Sequence, residues 1–232
     1  MMDNRYERQT ALPEIGTEGQ ARLAQARALI IGVGGLGCPI ALYLAAAGIG
    51  SLRLVDDDKV SLTNLQRQVL YTEADLGQPK ALCAARRLRD LRSDLHVETC
   101  VERFTTVNAD RLVEGCDLVL DGTDNYDTRY IINSTCAHAR IPYIYGAVRG
   151  FEGQVSVFHA GNKPRSYTEL YPPEERWANL PADLRVLGVT PAVVGSVQAG
   201  EAIKLIAGFG EPLYGRLWTI DLRTLQSHIL TF

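Results

Sequence analysis

The fold is decided by the stretch Ala28-Leu-Ile-Ile-Gly-Val-Gly-Gly-Leu-Gly-Cys38. Its first four residues are apolar and predict a buried strand, and a helical run from Pro39 to Ala47 follows. Between them lie three glycines in G-x-G-x-x-G spacing and one additional glycine, namely Gly32, Gly34, Gly37 and Gly35. A phosphate can approach such a turn because no Cβ intervenes, and the helix start directs N–H groups at it. The stretch therefore predicts a nucleotide-binding unit without specifying the nucleotide.

Length and composition limit the class of protein. The 232 residues fit one large domain, and 46% apolar residues are enough for a full core. A net charge of −3 argues against a general nucleic-acid-coating role. No apolar run reaches the roughly 20 residues of a membrane span, and no signal peptide precedes Arg5. The five cysteines are scattered and odd in number, which favours the reducing cytoplasm. We expect a cytoplasmic protein without nucleic-acid or membrane partners.

Predicted strands and helices alternate through the first two thirds of the chain. After the glycine unit the predicted strands are Ser51–Val55, Val97–Phe104, Asp117–Leu120 and Tyr143–Gly146. The predicted helices are Lys80–Leu91, a short one with Asn108 as its N-cap, and Tyr126–Arg140. This alternation predicts an α/β, Rossmann-like, doubly wound and mostly parallel sheet.

The last third follows a different pattern. The segment Gln154–His159 alternates like a strand, and a helix of small and apolar residues is expected over Pro191–Ala207. A closing hairpin is predicted from Arg216–Asp221 and Gln226–Phe232. We interpret residues 1–232 as a single domain whose sheet continues as an antiparallel extension. Residues 1–20 form an N-terminal arm, and residues 160–188 form a crossover loop that we expect to be mobile.

Candidate nucleotide ligands follow the second predicted strand. Asp56 lies 19 residues after Gly37, where nucleotide folds place a carboxylate for the ribose hydroxyls, and we include Asp58 beside it. The alternative for Asp56 is an ordinary strand-end turn residue. Two cations and two amides come next: Asn64, Arg67, Gln68 and Lys80. A triphosphate needs such a set, whereas NAD does not; the alternative is surface charge on a loop and a helix.

Asp124 and Asn125 follow the fourth predicted strand, at the edge where parallel sheets bind ligands. Since Mg²⁺ prefers one or two carboxylates together with phosphate oxygens, Asp124 is a candidate metal ligand. The alternative is that Asp121, Asp124 or Asn125 caps the following helix. No Ser–His–Asp or Cys–His arrangement is indicated, because the four histidines lie far apart in the sequence.

The motifs together resemble the MoeB/ThiF/HesA family, relatives of the adenylation domain of ubiquitin-activating enzymes. The similarity covers nearly the whole chain and is carried by eight segments: Arg5-Tyr-Glu-Arg-Gln9, Gly32-Val-Gly-Gly-Leu-Gly37, Leu54-Val-Asp-Asp-Asp58, Ser61-Leu-Thr-Asn-Leu-Gln-Arg-Gln68, Gly77-Gln-Pro-Lys80, Asp121-Gly-Thr-Asp-Asn125, Phe151-Glu-Gly-Gln154 and Gly195-Ser-Val-Gln198.

The resemblance implies an ATP·Mg²⁺-dependent adenylyltransferase that activates the C-terminal Gly-Gly carboxylate of a small ubiquitin-like sulfur-carrier protein. It assigns the glycine loop to the nucleotide, Asp56 to the ribose and Asp124 to Mg²⁺. It assigns the triphosphate to the segment that contains Asn64, Arg67, Gln68 and Lys80. Arg8 matches the family arginine that reaches the γ-phosphate in the neighbouring subunit, which implies a homodimer. The expected catalytic residues are Arg8, Arg67, Lys80 and Asp124.

Two departures from the family pattern concern sulfur ligands. The first of the family's two zinc-binding C-x-x-C pairs would fall at Ser166-Tyr-Thr-Glu169, and both cysteines are replaced. The second would lie beyond Phe232, so we expect no zinc. The crossover cysteine that many members use for a covalent step corresponds to Pro181. We therefore expect adenylation without a covalent cysteine step.

Other hypotheses remain open at this stage. One alternative is a non-catalytic dimeric scaffold that binds a ubiquitin-like carrier protein. A nicotinamide or flavin oxidoreductase would explain Gly32 to Asp56 and would leave Asn64–Gln68 and Thr123–Asn125 without a role. A tRNA-modifying relative that activates a small carboxylate ranks lower, because it differs in these two segments. The sequence does not distinguish among thiamine thiazole, molybdopterin and tRNA-thiolation pathways.

Overall fold

The computed structural model of the chain describes residues 4–173 and 185–232. Eight strands form one sheet: β1 Arg27–Ile31, β2 Ser51–Val55, β3 His96–Cys100, β4 Leu118–Asp121, β5 Tyr143–Arg149, β6 Glu152–Phe158, β7 Arg216–Asp221 and β8 Gln226–Thr231. The α-helices are α1 Glu7–Thr10, α2 Gly16–Gln25, α3 Gly37–Ala47, α4 Lys80–Leu91, α5 Ala109–Val113, α6 Tyr126–Ala139, α7 Tyr167–Leu170 and α8 Val189–Ala207.

The strand order is β3-β2-β1-β4-β5-β6-β7-β8. The first five strands in this order are parallel, and β6, β7 and β8 extend the sheet by antiparallel pairing. This confirms the mostly parallel sheet with an antiparallel C-terminal extension. The chain reverses its winding between β1 and β4, and ligands bind at the carboxyl ends of the strands beside such a reversal.

Two hydrophobic clusters cover the two faces of the sheet. In β1, Ala28 and Ile30 pack towards α3, α4 and α8, whereas Leu29 and Ile31 pack towards α5 and α6. Strands covered on both faces have no polar side, which explains why β1 is a continuous apolar run. Burial of the central parallel strands on both faces holds these strands in place, and therefore positions the loops at their carboxyl ends.

Most predicted element boundaries agree with the structure to within about two residues, and β2 and α4 match at both ends. The third strand is a correction: it ends at Cys100, because residues 101–104 leave the sheet and only Phe104 is buried again. The fifth strand is longer than expected and reaches Arg149, because it pairs with β6 over seven residues. Part of the predicted crossover loop, including Pro181, lies outside the described residues.

Within the two described ranges, no helix is both long and apolar enough to cross a membrane.

Candidate functional site

A cavity of about 1240 Å³ opens at the carboxyl edge of the sheet. Its lining includes almost every sequence-predicted nucleotide residue: Gly32, Gly34, Gly35, Asp56, Asp58, Asn64, Arg67, Gln68, Lys80, Asp124 and Asn125. Residues separated by up to about 90 positions in the sequence therefore share one site. Gly37 is not in the lining, because it lies beneath the turn as the first residue of α3.

The glycine loop is held by main-chain contacts. Gly32 has a φ of 83° and donates its N–H to the Val55 carbonyl at 2.8 Å. A Cβ on Gly37 or on Gly122 would overlap the Gly32 carbonyl oxygen. The spacing rule pointed to Gly32 and Gly37 but gave no signal for Gly122, which packs against the same carbonyl oxygen from the next strand. The loops after β1 and β4 thus pack backbone to backbone.

Asp56 connects the glycine loop to the end of β2. Its Oδ2 accepts the Val33 N–H at 2.7 Å, and its Oδ1 accepts the Asp58 N–H at 2.8 Å. Burial raises the pKa of Asp56, and these two N–H groups offset only part of the effect. Each carboxylate oxygen has a second lone pair, so the group can still accept a hydrogen bond from a ligand hydroxyl on the cavity side.

The segment after β2 is a set of short turns. Asn64 accepts the Ser61 N–H at 3.2 Å through its side-chain oxygen, which closes a capping box around a short 3₁₀ turn. Arg67 donates to the Thr63 carbonyl at 3.2 Å, and its Cδ lies over Gly35. These contacts hold Arg67 against the glycine loop, with its guanidinium at the cavity.

Gln68 and Lys80 are polar side chains buried in the cavity wall. Gln68 is only 3% exposed, and within the described part of the chain its Oε1 has no hydrogen-bond partner. Lys80 is 5% exposed, and its Nζ forms an ion pair with Asp58 at 2.7 Å. Unsatisfied buried polar atoms are rare in native proteins, so the orphaned amide fits a wall that receives a polar ligand.

The loop after β4 separates two carboxylates with different roles. Asp121 is fully buried and accepts hydrogen bonds from the Thr123 N–H at 2.8 Å and the Tyr143 hydroxyl at 2.8 Å. Asp124 is exposed in the cavity. The N-cap of α6 is Asn125, whose Oδ1 accepts the Thr128 N–H at 2.9 Å. The capping alternative thus applies to Asn125, and Asp121 holds its own loop.

A second wall of the cavity contains residues that the sequence analysis missed. Arg129 forms an ion pair with Asp121, N to O 3.3 Å, and its guanidinium lies 5.5 Å from the Tyr145 ring centre. Burial, the largest single effect, lowers the pKa of Arg129, but Asp121 and the neighbouring tyrosines together raise the pKa above its ordinary value. Gln154 donates to the Tyr145 hydroxyl at 2.7 Å. No fixed sequence spacing links these residues. The only available signal was the presence of tyrosines and an arginine in a predicted strand and the helix before it.

Two further groups near the nucleotide end differ in exposure. Cys38 is buried at the start of α3 and donates to the Val33 carbonyl at 3.5 Å; burial raises the pKa of its thiol to about 12. Arg8 lies exposed on α1 and is not part of the cavity lining. The structure therefore does not bring Arg8 together with the other predicted catalytic residues of its own chain.

The two positions where the family has zinc-binding cysteines, Ser166 and Glu169, form a capping box at α7, with the Ser166 N–H donating to Glu169 at 2.8 Å. The Asn133 side-chain oxygen accepts the Tyr167 N–H at 2.9 Å and lies 2.8 Å from His159 Nε2. Burial lowers the pKa of His159. Hydrogen bonds centred on Asn133 therefore tie the described part of the crossover loop to α6.

Comparison with protein families gives a match to the ThiF family over residues 6–232. The chain is 44% identical over 224 residues to a protein of Thermus thermophilus named sulfur carrier protein adenylyltransferase, covering 94% of this chain and 83% of that protein. It is 43% identical over 220 residues to the SAMP-activating enzyme E1 of Haloferax volcanii, covering 94% and 81%.

A third relative, adenylyltransferase and sulfurtransferase MOCS3 of Sus scrofa, is 46% identical over 219 residues. This match covers 94% of the chain but only 48% of the relative. Among solved structures, E. coli MccB with ATP has a TM-score of 0.85 at 25% identity, covering 99% of this chain and 71% of that one. PaaA has a TM-score of 0.83 at 26% identity, covering 98% and 72%.

Proposed function

The chain belongs to the ThiF family, and from this premise we propose that it is an ATP-dependent adenylyltransferase that activates a ubiquitin-like sulfur-carrier protein at its C-terminal Gly-Gly carboxylate. The observation that carries the proposal is the joint placement of the glycine loop, Arg67, Gln68, Lys80 and Asp124 in one cavity. The names of the relatives support the same activity. An oxidoreductase would leave the cations and Asp124 without a function.

The nucleotide end of the cavity matches ATP in its chemistry. The glycine loop and the start of α3 offer N–H groups to phosphate oxygens, and Asp56 offers acceptors to the ribose hydroxyls. Arg67 and Lys80 place two positive charges along a chain of phosphates. The glycines without Cβ atoms are consistent with a ligand that approaches this wall closely.

The proposed reaction brings two anions together. A carboxylate oxygen of the carrier attacks the α-phosphorus of ATP, and the bond to the pyrophosphate breaks, which yields an acyl adenylate and pyrophosphate. No protein nucleophile is needed. Arg67 and Lys80 screen the negative charge and stabilise the leaving pyrophosphate, and the glycine loop aligns the nucleotide for in-line attack.

Asp124 is the residue that would hold Mg²⁺. Its carboxylate is exposed in the cavity beside the nucleotide residues, and Mg²⁺ binds through one or two carboxylates together with phosphate oxygens. When bound, the ion would neutralise charge on the phosphate oxygens. The donor set fits Mg²⁺ rather than zinc, and we propose that the protein binds no zinc because Ser166 and Glu169 replace the family's first cysteine pair.

The second subunit of a homodimer would complete the site. Arg8 is exposed on α1 and outside the cavity of its own chain, which is consistent with reaching a neighbouring site. The carrier's tail would approach along the second wall, past Tyr145 and Gln154, where the cavity continues beyond the nucleotide end. The part of the crossover loop within the described residues adjoins this wall through Tyr171, whose hydroxyl accepts from Gln154 at 2.5 Å.

The decisive test is ATP–pyrophosphate exchange with a purified carrier that ends in Gly-Gly. Exchange should require the carrier and fall at least about 100-fold in Asp124→Ala and in Arg67→Ala. Matched controls are Asp90→Ala and Arg87→Ala, which remove the same charges from exposed positions on α4 and should retain exchange. Exchange that is absent in the wild type, or equal in all four variants, would contradict the proposal; carrier binding without exchange would indicate a scaffold.

A further inference from the structure

Gln198 is a fully buried polar residue in the middle of α8, outside the cavity lining. Its Nε2 donates to the main-chain carbonyls of Asp121 at 2.8 Å and of Ile144 at 3.3 Å. Within the described ranges its Oε1 has no hydrogen-bond partner. Keeping a buried amide oxygen without a hydrogen-bond partner costs stability, so we expect the amide nitrogen of Gln198 to have a specific role.

The Asp121 and Ile144 carbonyls lie where β4 and β5 cease to pair. β4 and β5 pair in parallel only through Val119 and Leu120, and β4 ends at Asp121. β5 continues for five residues beyond its last partner in β4. Where two strands separate, carbonyls lose the hydrogen bonds that pairing would provide. The Gln198 amide donates to the two carbonyls at this point, those of Asp121 and Ile144. The Gln198 side chain thus bridges the two strands at the point where they separate.

β5 makes room for this amide. Gly146 lies on β5 beside Gln198, and a Cβ there would overlap the Gln198 side-chain amide. α8 also approaches the glycine loop closely, because a Cβ on Gly195 would lie 2.5 Å from the Leu36 carbonyl oxygen. One helix therefore contacts the glycine loop through Gly195 and the end of β4 through Gln198, one turn apart.

The residue held by Gln198 begins the loop that presents Asp124. The carbonyl of Asp121 faces Gln198, its carboxylate binds the Thr123 N–H at 2.8 Å, and the Gly122 N–H donates to Ile31 at 2.8 Å. Asp124 itself is exposed, so its position depends on these contacts. From this arrangement we infer that Gln198 is a positioning residue, which sets the Asp124 carboxylate relative to the glycine loop.

This inference rests on the proposed function only in naming Mg²⁺ and ATP as the ligands that Asp124 and the glycine loop bring together. Positioning predicts a selective defect. Partners that orient a metal ligand typically change metal affinity by about 10- to 100-fold when they are removed. Loss of the Gln198 amide should therefore weaken the binding of Mg²⁺ and leave the contacts of the glycine loop with the nucleotide largely intact.

The test uses two variants that disturb the same amide from opposite sides. Gln198→Met keeps the length of the side chain and removes its donor, and Gly146→Ala displaces the amide from β5. Glu201→Gln is the matched control, because Glu201 is another buried polar residue of α8 and binds the Leu213 N–H at 2.8 Å, outside the cavity lining.

The first measurement is hydrogen–deuterium exchange of the ligand-free protein. Both variants should exchange the Gly122 and Thr123 amides at least about tenfold faster, with α4 unchanged within about twofold, whereas Glu201→Gln should leave the Gly122 and Thr123 amides as in the wild type. Unchanged exchange at these amides in both variants would overturn the inference. Equally accelerated exchange in α4 would also overturn it, since that marks general loss of stability.

The second measurement is the Mg²⁺ dependence of ATP–pyrophosphate exchange. The Mg²⁺ concentration at half-maximal rate should rise about tenfold in both variants, and the ATP concentration at half-maximal rate, measured in saturating Mg²⁺, should change by less than about twofold. Equal effects on both concentrations would refute a positioning role. A wild-type protein without exchange would contradict the proposed function alone, because the ligand-free measurement still decides the role of Gln198.

Discussion

The two walls of the cavity are built in different ways. The nucleotide wall, from Gly32 to Lys80, depends on main-chain contacts: glycines pack against carbonyls, and Asp56 binds two backbone N–H groups. The other wall, here called the aromatic wall, is lined by Arg129, Tyr145 and Gln154 and backed by the buried Asp121 and Tyr143. It depends on side chains that are buried or partly buried and bind one another.

The two walls should therefore tolerate different kinds of substitution. A close backbone contact has no room for an added methyl group, but its geometry does not depend on the polarity of neighbouring side chains. A network of buried side chains can adjust its shape by changing rotamers, but it cannot lose a charge or a donor without leaving a partner unsatisfied. The nucleotide wall should therefore fail when atoms are added, and the aromatic wall when polar groups are removed.

The largest effect is expected where the walls meet, at Gly122. In Gly122→Ala the new Cβ would overlap the Gly32 carbonyl oxygen, and neither backbone can move without distorting β1 or β4. We expect a loss of about 4 kcal/mol or more in the free energy of unfolding, measured by urea denaturation, and at least about a 100-fold loss of ATP affinity.

The matched control for this change is Gly200→Ala. Gly200 lies in α8, and among the described residues no heavy atom outside the neighbouring backbone of this helix lies within 4 Å of the position of an added Cβ. Alanine should therefore stabilise the helix by about 0.5 to 1 kcal/mol. Equal stability of the Gly122 and Gly200 variants would show that Gly122 has room for a Cβ beside the Gly32 carbonyl oxygen.

Removing a charge from the aromatic wall should have the next largest effect. Arg129→Met leaves the buried Asp121 carboxylate without its ion-pair partner, and we expect a loss of about 3 kcal/mol in the free energy of unfolding. The double variant Arg129→Met, Asp121→Asn should recover part of that loss, because it removes the uncompensated charge. Additive losses in the double variant would contradict a coupled pair.

These differences explain what the sequence could predict. The glycine spacing, the strand–helix alternation and Asn64 to Gln68 are local patterns. They predicted the sheet, which the structure confirms, and they named most of the residues that the structure places along the nucleotide wall. The aromatic wall joins β4, β5, β6 and α6 through contacts between residues such as Asp121 and Arg129, or Tyr145 and Gln154, whose spacing follows no rule. Gly122 and Gln198 were within quoted motifs, but their roles depend on packing across the sheet.

A single hydroxyl group gives a smaller perturbation of the aromatic wall. Tyr143→Phe removes the donor to the Asp121 carboxylate, and we expect a loss of about 2 kcal/mol, since hydrogen bonds to charged groups contribute more than neutral ones. Tyr145→Phe removes a neutral partner of Gln154 and should lose about 1 kcal/mol. Urea denaturation of both variants compares them, and the reverse order would contradict a wall organised around Asp121.

The smallest expected effect is a pH dependence in the nucleotide wall. Burial raises the folded-state pKa of Asp56 above its unfolded value, so the folded protein binds this proton more tightly. The contribution of Asp56 to stability is therefore greatest below its ordinary pKa near 4 and declines as the pH rises through the raised value. Asp56→Asn should remove this decline.

Urea denaturation from pH 4 to pH 7 measures this difference. The free energy of unfolding of the wild type minus that of Asp56→Asn should decrease with rising pH, by less than about 1 kcal/mol. If the difference is constant over this range, or increases, burial does not raise the pKa of Asp56 by more than its hydrogen bonds lower it.

The buried Cys38 beside the glycine loop also bears on the fate of the reaction product. Burial is the leading cause that raises the pKa of all five thiols of the chain, those of Cys38, Cys83, Cys100, Cys116 and Cys136. Near neutral pH they remain largely protonated, and a thiol is a far poorer nucleophile than a thiolate. In the proposed reaction, an acyl adenylate in the cavity would therefore meet little competing sulfur from its own enzyme.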